Sequence, residues 1–138
     1  MIDSTGYPWS HIEEPAAEEY ISSGSVKNYK AIVFYDMPGI DFETAPPKPT
    51  FLEPNQNFKS GFINLLKKGI GCVFIHHSIA SWPLCDEYGD LIGGRFLYQP
   101  STVKGIEQPD SGYRHDVKYT VSKVGNCLLY TSPSPRDS

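Results

Sequence analysis

Apolar residues follow two rhythms along this chain. Ala31-Ile32-Val33-Phe34-Tyr35 and Ile70 to Ile75 are continuous, β-favouring runs, the pattern of strands buried on both faces of a parallel sheet. Phe58, Phe62, Leu65 and Leu66 instead recur at helical spacing. Asn55 stands ready as the cap of that helix, Lys67 and Lys68 fall in its last turn, and Gly69 supplies the stop.

Weaker patterns fill in the rest. Pro15, with Glu13 and Glu14 before it and Gly24 shortly after Ile21, predicts a short helix over about residues 15–22. Ser81 is placed to cap another, with Pro83 in its first turn, Leu84, Tyr88, Leu91 and Ile92 on one face, and Gly93-Gly94 at its end. Residues 115–124 alternate as a last strand would, and Asp110-Ser111-Gly112 reads as a turn. Residues 37–54 hold five prolines and little periodicity, a long connection of the kind that serves as a lid. Strands alternating with helices in this order predict an α/β layered fold with a mostly parallel sheet.

Charge and composition narrow the partners. The net charge of −4 comes without any Lys/Arg cluster, so a nucleic-acid partner is not expected. No apolar run approaches the roughly 20 residues that span a bilayer, and Met1-Ile2-Asp3 lacks the basic and apolar regions of a signal peptide. A cytoplasmic location without membrane contact is therefore expected. Cys72 sits in a strand pattern and Cys85 in a helix pattern, which suits reduced thiols better than a disulfide framework.

The apolar alternation stops at Val124 and gives way to Cys127-Leu128-Leu129-Tyr130-Thr131-Ser132-Pro133-Ser134-Pro135-Arg136-Asp137. An adapter of transposase-based DNA library preparation, read in frame, encodes that string. Residues 127–138 are accordingly expected to be foreign to the fold, and residues 1–126 to be part of one domain.

In an open parallel sheet, ligands bind beyond the carboxyl ends of the strands. Asp36 follows the first predicted strand, and His76, His77 and Ser78 follow the second. If the strands are parallel, these groups share one edge. A residue in the tight turn from strand to helix is held exposed, as in a nucleophile elbow; here the elbow carries imidazoles, so thiol- or serine-based acyl transfer is not supported. His76, His77 and His115, with Asp36 and Asp116, form the set able to transfer protons or bind a metal. Their spacing matches no known metal motif, so no cofactor is firmly implied; a divalent metal would take His76 and His115. The competing reading packs one of the adjacent histidines into the core. Trp82, Tyr98, Tyr113 and Arg114 could stack on and bond a sugar, or simply pack the interior.

The stretch Gly71-Cys72-Val73-Phe74-Ile75-His76-His77-Ser78-Ile79-Ala80, then Trp82-Pro83, Tyr88, Leu91-Ile92-Gly93-Gly94-Arg95-Phe96 and Tyr113-Arg114-His115-Asp116-Val117, resembles the ThuA-like (trehalose-utilisation) family. Val33-Phe34-Tyr35-Asp36-Met37-Pro38-Gly39 resembles it too, so the likeness spans about residues 26–124. It implies a class I glutamine amidotransferase-like, flavodoxin-like three-layer sandwich, of which this chain would hold part. It also implies a small-molecule carbohydrate, trehalose or a related disaccharide, as ligand. The family's strand-end histidine matches His76 and its later histidine block matches His115. Combined with the strand-edge placement and the neighbouring aromatic and charged residues, the expected site is Asp36, His76 and His115 for chemistry, with His77, Trp82, Tyr113, Arg114 and Asp116 binding substrate. With no cysteine at the elbow, glutamine hydrolysis by a thiol is not expected. Hydrolysis or proton transfer on a sugar derivative is the expected activity, and a non-catalytic sugar-binding or interaction module of the same fold is the alternative.

Overall fold

The computed structural model describes residues 6–43, 49–120 and 122. Two strands, β1 (Ala31–Phe34) and β4 (Gly71–Phe74), pair in parallel with Ala31 opposite Gly71 and Phe34 opposite Phe74. The connection between them carries helix α2 (Gln56–Lys67), so this part is a βαβ unit, as the two apolar rhythms predict. Asn55 caps α2, its Oδ1 accepting from the Phe58 N–H at 2.8 Å, and the chain leaves the helix at Lys68 and Gly69. Helix α1 (Ala16–Ser22) packs against α2. Gly61 permits that approach, because a Cβ there would overlap the Ile21 carbonyl.

The core lies between these helices and one face of the sheet. Phe34 stacks on Phe74 with centroids 4.8 Å apart, and Phe62 meets Phe34 edge-on at 6.1 Å. Tyr88, from helix α3 (Asp86–Ile92), stacks on Phe62 at 5.2 Å. The opposite face is bare: Val33 is 47% exposed and Val73 49%. The expectation of strands buried on both faces is thus corrected. Alternate residues of both runs face a helical layer, while nothing among the described residues covers the other face.

Three further expectations change. Ser81 does not cap α3, which begins five residues later at Asp86 with Cys85 before it; Ser81 Oγ donates instead to the Asp36 carbonyl at 3.1 Å. The long 37–54 connection contains a short antiparallel pair, β2 (Ile40–Asp41) with β3 (Thr50–Phe51), and its residues 44–48 lie outside the described residues. The final strand over 115–124 is absent from its described part: residues 115–120 are irregular, with Tyr119 80% exposed. The polar stretch after α3 instead holds a hairpin, β5 (Ser101–Val103) with β6 (Ile106–Gln108). Lys104 and Gly105 turn it with φ of 51° and 78°, the sign that tight hairpin turns favour. Residues 127–138 fall outside the described part.

The described elements are therefore mixed α/β: three α-helices, one parallel pair and two antiparallel pairs. No helix among the described residues is long and apolar enough to cross a membrane.

Candidate site at the carboxyl edge of the parallel strands

Because β1 and β4 run in parallel, the residues that leave them emerge on one edge. The Ile75 N–H donates to the Phe34 carbonyl at 3.0 Å, carrying the ladder one step past the strands. Asp36 and His76 come next on their respective chains. His76 has φ of +50°, a left-handed conformation that is uncommon without glycine and costs roughly 1–3 kcal/mol. It opens a 3₁₀ turn over His76–Ala80, the strand-to-turn elbow expected from the sequence.

Both histidines are exposed, which overturns the reading that one of them packs into the core. Their rings meet edge-on with centroids 3.9 Å apart, and Tyr35 stands 6.2 Å from His76 and 5.8 Å from His77. The three rings form an exposed polar and aromatic cluster at the strand edge. Ser78 takes a different part. It is fully buried, its Oγ donates to the Ile75 carbonyl at 3.1 Å, and its carbonyl accepts from the Tyr88 hydroxyl at 3.0 Å. Those bonds make Ser78 a brace under the elbow.

The loop after β1 is stitched to the segment beyond the 3₁₀ turn. Besides the Ser81–Asp36 bond, the Trp82 N–H donates to the Pro38 carbonyl at 2.9 Å. Gly39, at φ +80°, leaves room for the indole, since a Cβ there would lie 2.6 Å from Trp82 Cε3. Trp82 is 7% exposed and its ring sits 5.3 Å from Phe58. Most of that indole is therefore core, and the expected sugar platform is confined to its edge. That edge helps line a cleft of about 210 Å³ with Phe51, Arg95, Phe96 and Tyr98. Arg95 is held there by two hydrogen bonds to Asp86, at 2.7 Å to Oδ1 and 3.0 Å to the carbonyl.

Asp36 is half-buried and its Oδ1 is shielded without a hydrogen-bond partner. Glu14, just ahead of α1, acts on its carboxyl electrostatically. Desolvation raises the Asp36 pKa above its ordinary value, with the Glu14 hydrogen bond opposing that rise. Much of Glu14 is open to solvent, yet desolvation at its carboxyl pushes its pKa up to about 7, helped by the neighbouring Asp36 charge and hydrogen bond and opposed by the Glu18 N–H. Sequence reasoning missed Glu14, because an acid before a helix is already explained by the helix dipole and nothing local marks its coupling to Asp36.

Tyr113, Arg114, His115 and Asp116 are exposed on the irregular segment. The His115 ring meets Tyr113 edge-on at 5.3 Å. Among the described residues, no group of three or more His, Cys, Asp or Glu converges as a metal site would require. The structure thus brings His76, His77 and Tyr35 together at the edge from which Asp36 also emerges, and it does not join Tyr113, Arg114, His115 or Asp116 to them among the described contacts. In comparisons with known proteins, no family model, no curated protein and no solved structure matches this chain.

Proposed function

We propose that the carboxyl edge of β1 and β4 is an acid–base site acting on a carbohydrate derivative, within a ThuA-like domain of flavodoxin-like, three-layer build. The observation that carries this reading is His76, exposed and held at φ +50° at the end of a parallel strand. Such strain persists where the surrounding structure fixes it, and it clusters at working sites. A neutral imidazole ring nitrogen can accept a proton, and His76 is the residue we assign as the base. Asp36, with its raised pKa, stands on the adjacent chain as the acid partner. The family resemblance supplies the sugar and assigns His115 to the same reaction. In a three-layer fold, a second helical layer would cover the bare face at Val33 and Val73.

A second reading, a sugar-binding module without chemistry, draws on the aromatic cleft at Phe51, Trp82, Phe96 and Tyr98. Aromatic faces stack on sugar rings whether or not a reaction follows. The test compares wild type with His76→Ala and Asp36→Asn across a panel of disaccharides and keto-sugars, with products followed by mass spectrometry. Loss of turnover in both variants is expected. Turnover unchanged in His76→Ala would remove His76 from the mechanism, while saturable calorimetric binding with no product would favour the module.

A further inference from the structure

His76 keeps its φ of +50° without the freedom of a glycine, so the surrounding structure must hold it there. Two bonds from Ser78 close the turn around it: the Ser78 N–H donates to the Ile75 carbonyl at 3.2 Å, and the Ser78 Oγ donates to the same carbonyl at 3.1 Å. Ser78 is in turn clamped from outside the turn, because its carbonyl accepts from the Tyr88 hydroxyl at 3.0 Å. The Ser81 N–H reaches that carbonyl only at 3.4 Å. Tyr88 is 3% exposed, and its ring packs against Phe62 at 5.2 Å and Phe74 at 6.0 Å. One hydroxyl therefore ties the His76 turn to the aromatic core.

We infer that Tyr88 is a positioning residue for His76: its hydroxyl, acting through the Ser78 carbonyl, holds the turn in which His76 stands exposed beside His77 and Tyr35. Ring and hydroxyl of Tyr88 have separable parts. The ring accounts for its place in the core, which a phenylalanine would fill as well. A buried phenol needs some acceptor, and the acceptor it takes is the carbonyl of the residue that closes the His76 turn. Such a bond is worth about as much as the strain of one left-handed residue, so its loss lets the turn relax. The catalytic consequence rests on the reading of His76 as the base; the backbone consequence needs only the fold.

The test compares wild type, Tyr88→Phe, Ser78→Ala and Tyr20→Phe in the full chain. Tyr88→Phe deletes the hydroxyl and keeps the ring, Ser78→Ala deletes the Oγ bond, and Tyr20→Phe removes the hydroxyl of a tyrosine on α1 that is 41% exposed. The first readout is NMR: the three-bond couplings that report φ at His76, and cross-peaks between the His76 and His77 rings. Wild type and Tyr20→Phe are expected to show the positive φ and the ring contact. In Tyr88→Phe and Ser78→Ala the couplings are expected to average toward negative φ and the cross-peaks to weaken. The second readout is turnover of the panel of disaccharides and keto-sugars, where kcat is expected to fall about tenfold in both variants with KM little changed, because misplacing a reacting group costs rate rather than binding. A positive φ retained in Tyr88→Phe, an equal change in Tyr20→Phe, or a relaxed turn with undiminished kcat would each overturn the inference. Should Tyr88→Phe fail to fold, Ser78→Ala decides by the same readouts. A relaxed turn in variants of a chain whose wild type turns over none of these sugars would support the clamp and count against the acid–base reading instead.

Discussion

The two faces of the β1–β4 pair carry similar apolar side chains and meet opposite fates. On one, Phe34 and Phe74 are enclosed by Phe62 of α2 and Tyr88 of α3. On the other, Val33, Val73, Tyr35 and Ile75 are 43–64% exposed. The enclosed face anchors the strands and so fixes the edge from which Asp36 and His76 emerge. The open face contributes little to that anchoring. Burial, rather than hydrophobicity as such, therefore decides which residues hold the site in place.

Substitutions can break this contrast, beginning with the largest effect. Phe62→Ala should cost about 3–5 kcal/mol in chemical denaturation, because it empties the aromatic centre of the enclosed face. Gly39→Ala should cost roughly 1–3 kcal/mol, since it combines a disfavoured φ with overlap against Trp82. It should also disturb the Asp36 loop, visible as altered histidine NMR shifts at the site. Asn55→Ala should cost about 1 kcal/mol through loss of the α2 cap. On the open face, Val73→Thr should stay within about 0.5 kcal/mol; a cost matching that of Phe62→Ala would mean that this face is buried in solution.

Acidity sharpens the same picture at the edge. The folded Glu14 pKa, about 7, lies above the ordinary value of 4.5, so the folded state binds its proton more tightly than the unfolded chain. The stabilisation is fully present below pH 4.5 and is lost as pH rises through about 7. Denaturation midpoints should fall over that window in wild type and change less in Glu14→Gln.

Much of the scaffold is legible in the sequence where several local signals agree. For α2, spacing, cap and stop all mark the same helix, and the two apolar runs give the parallel strands and the shared edge of Asp36 and His76. Continuous apolar runs cannot say which face is covered, so the bare side of Val33 and Val73 was not visible. Ser81 has the chemistry of a cap, but the Asp36 carbonyl, distant in sequence, claims its hydroxyl. The hairpin at 101–108 turns on Lys104-Gly105, which lacks the Asn or Asp of the stronger turn signals. Glu14 was legible only as a helix-start acid, because its partner lies 22 residues away.

Histidine side-chain NMR of the full chain, titrated with the panel of disaccharides and keto-sugars, bears hardest on the proposed site. Shifts concentrated at His76 and His77 for at least one sugar, with His11 unmoved, are the result the strand-edge site predicts. No shift at either residue for any sugar, or equal shifts at His11, would contradict it.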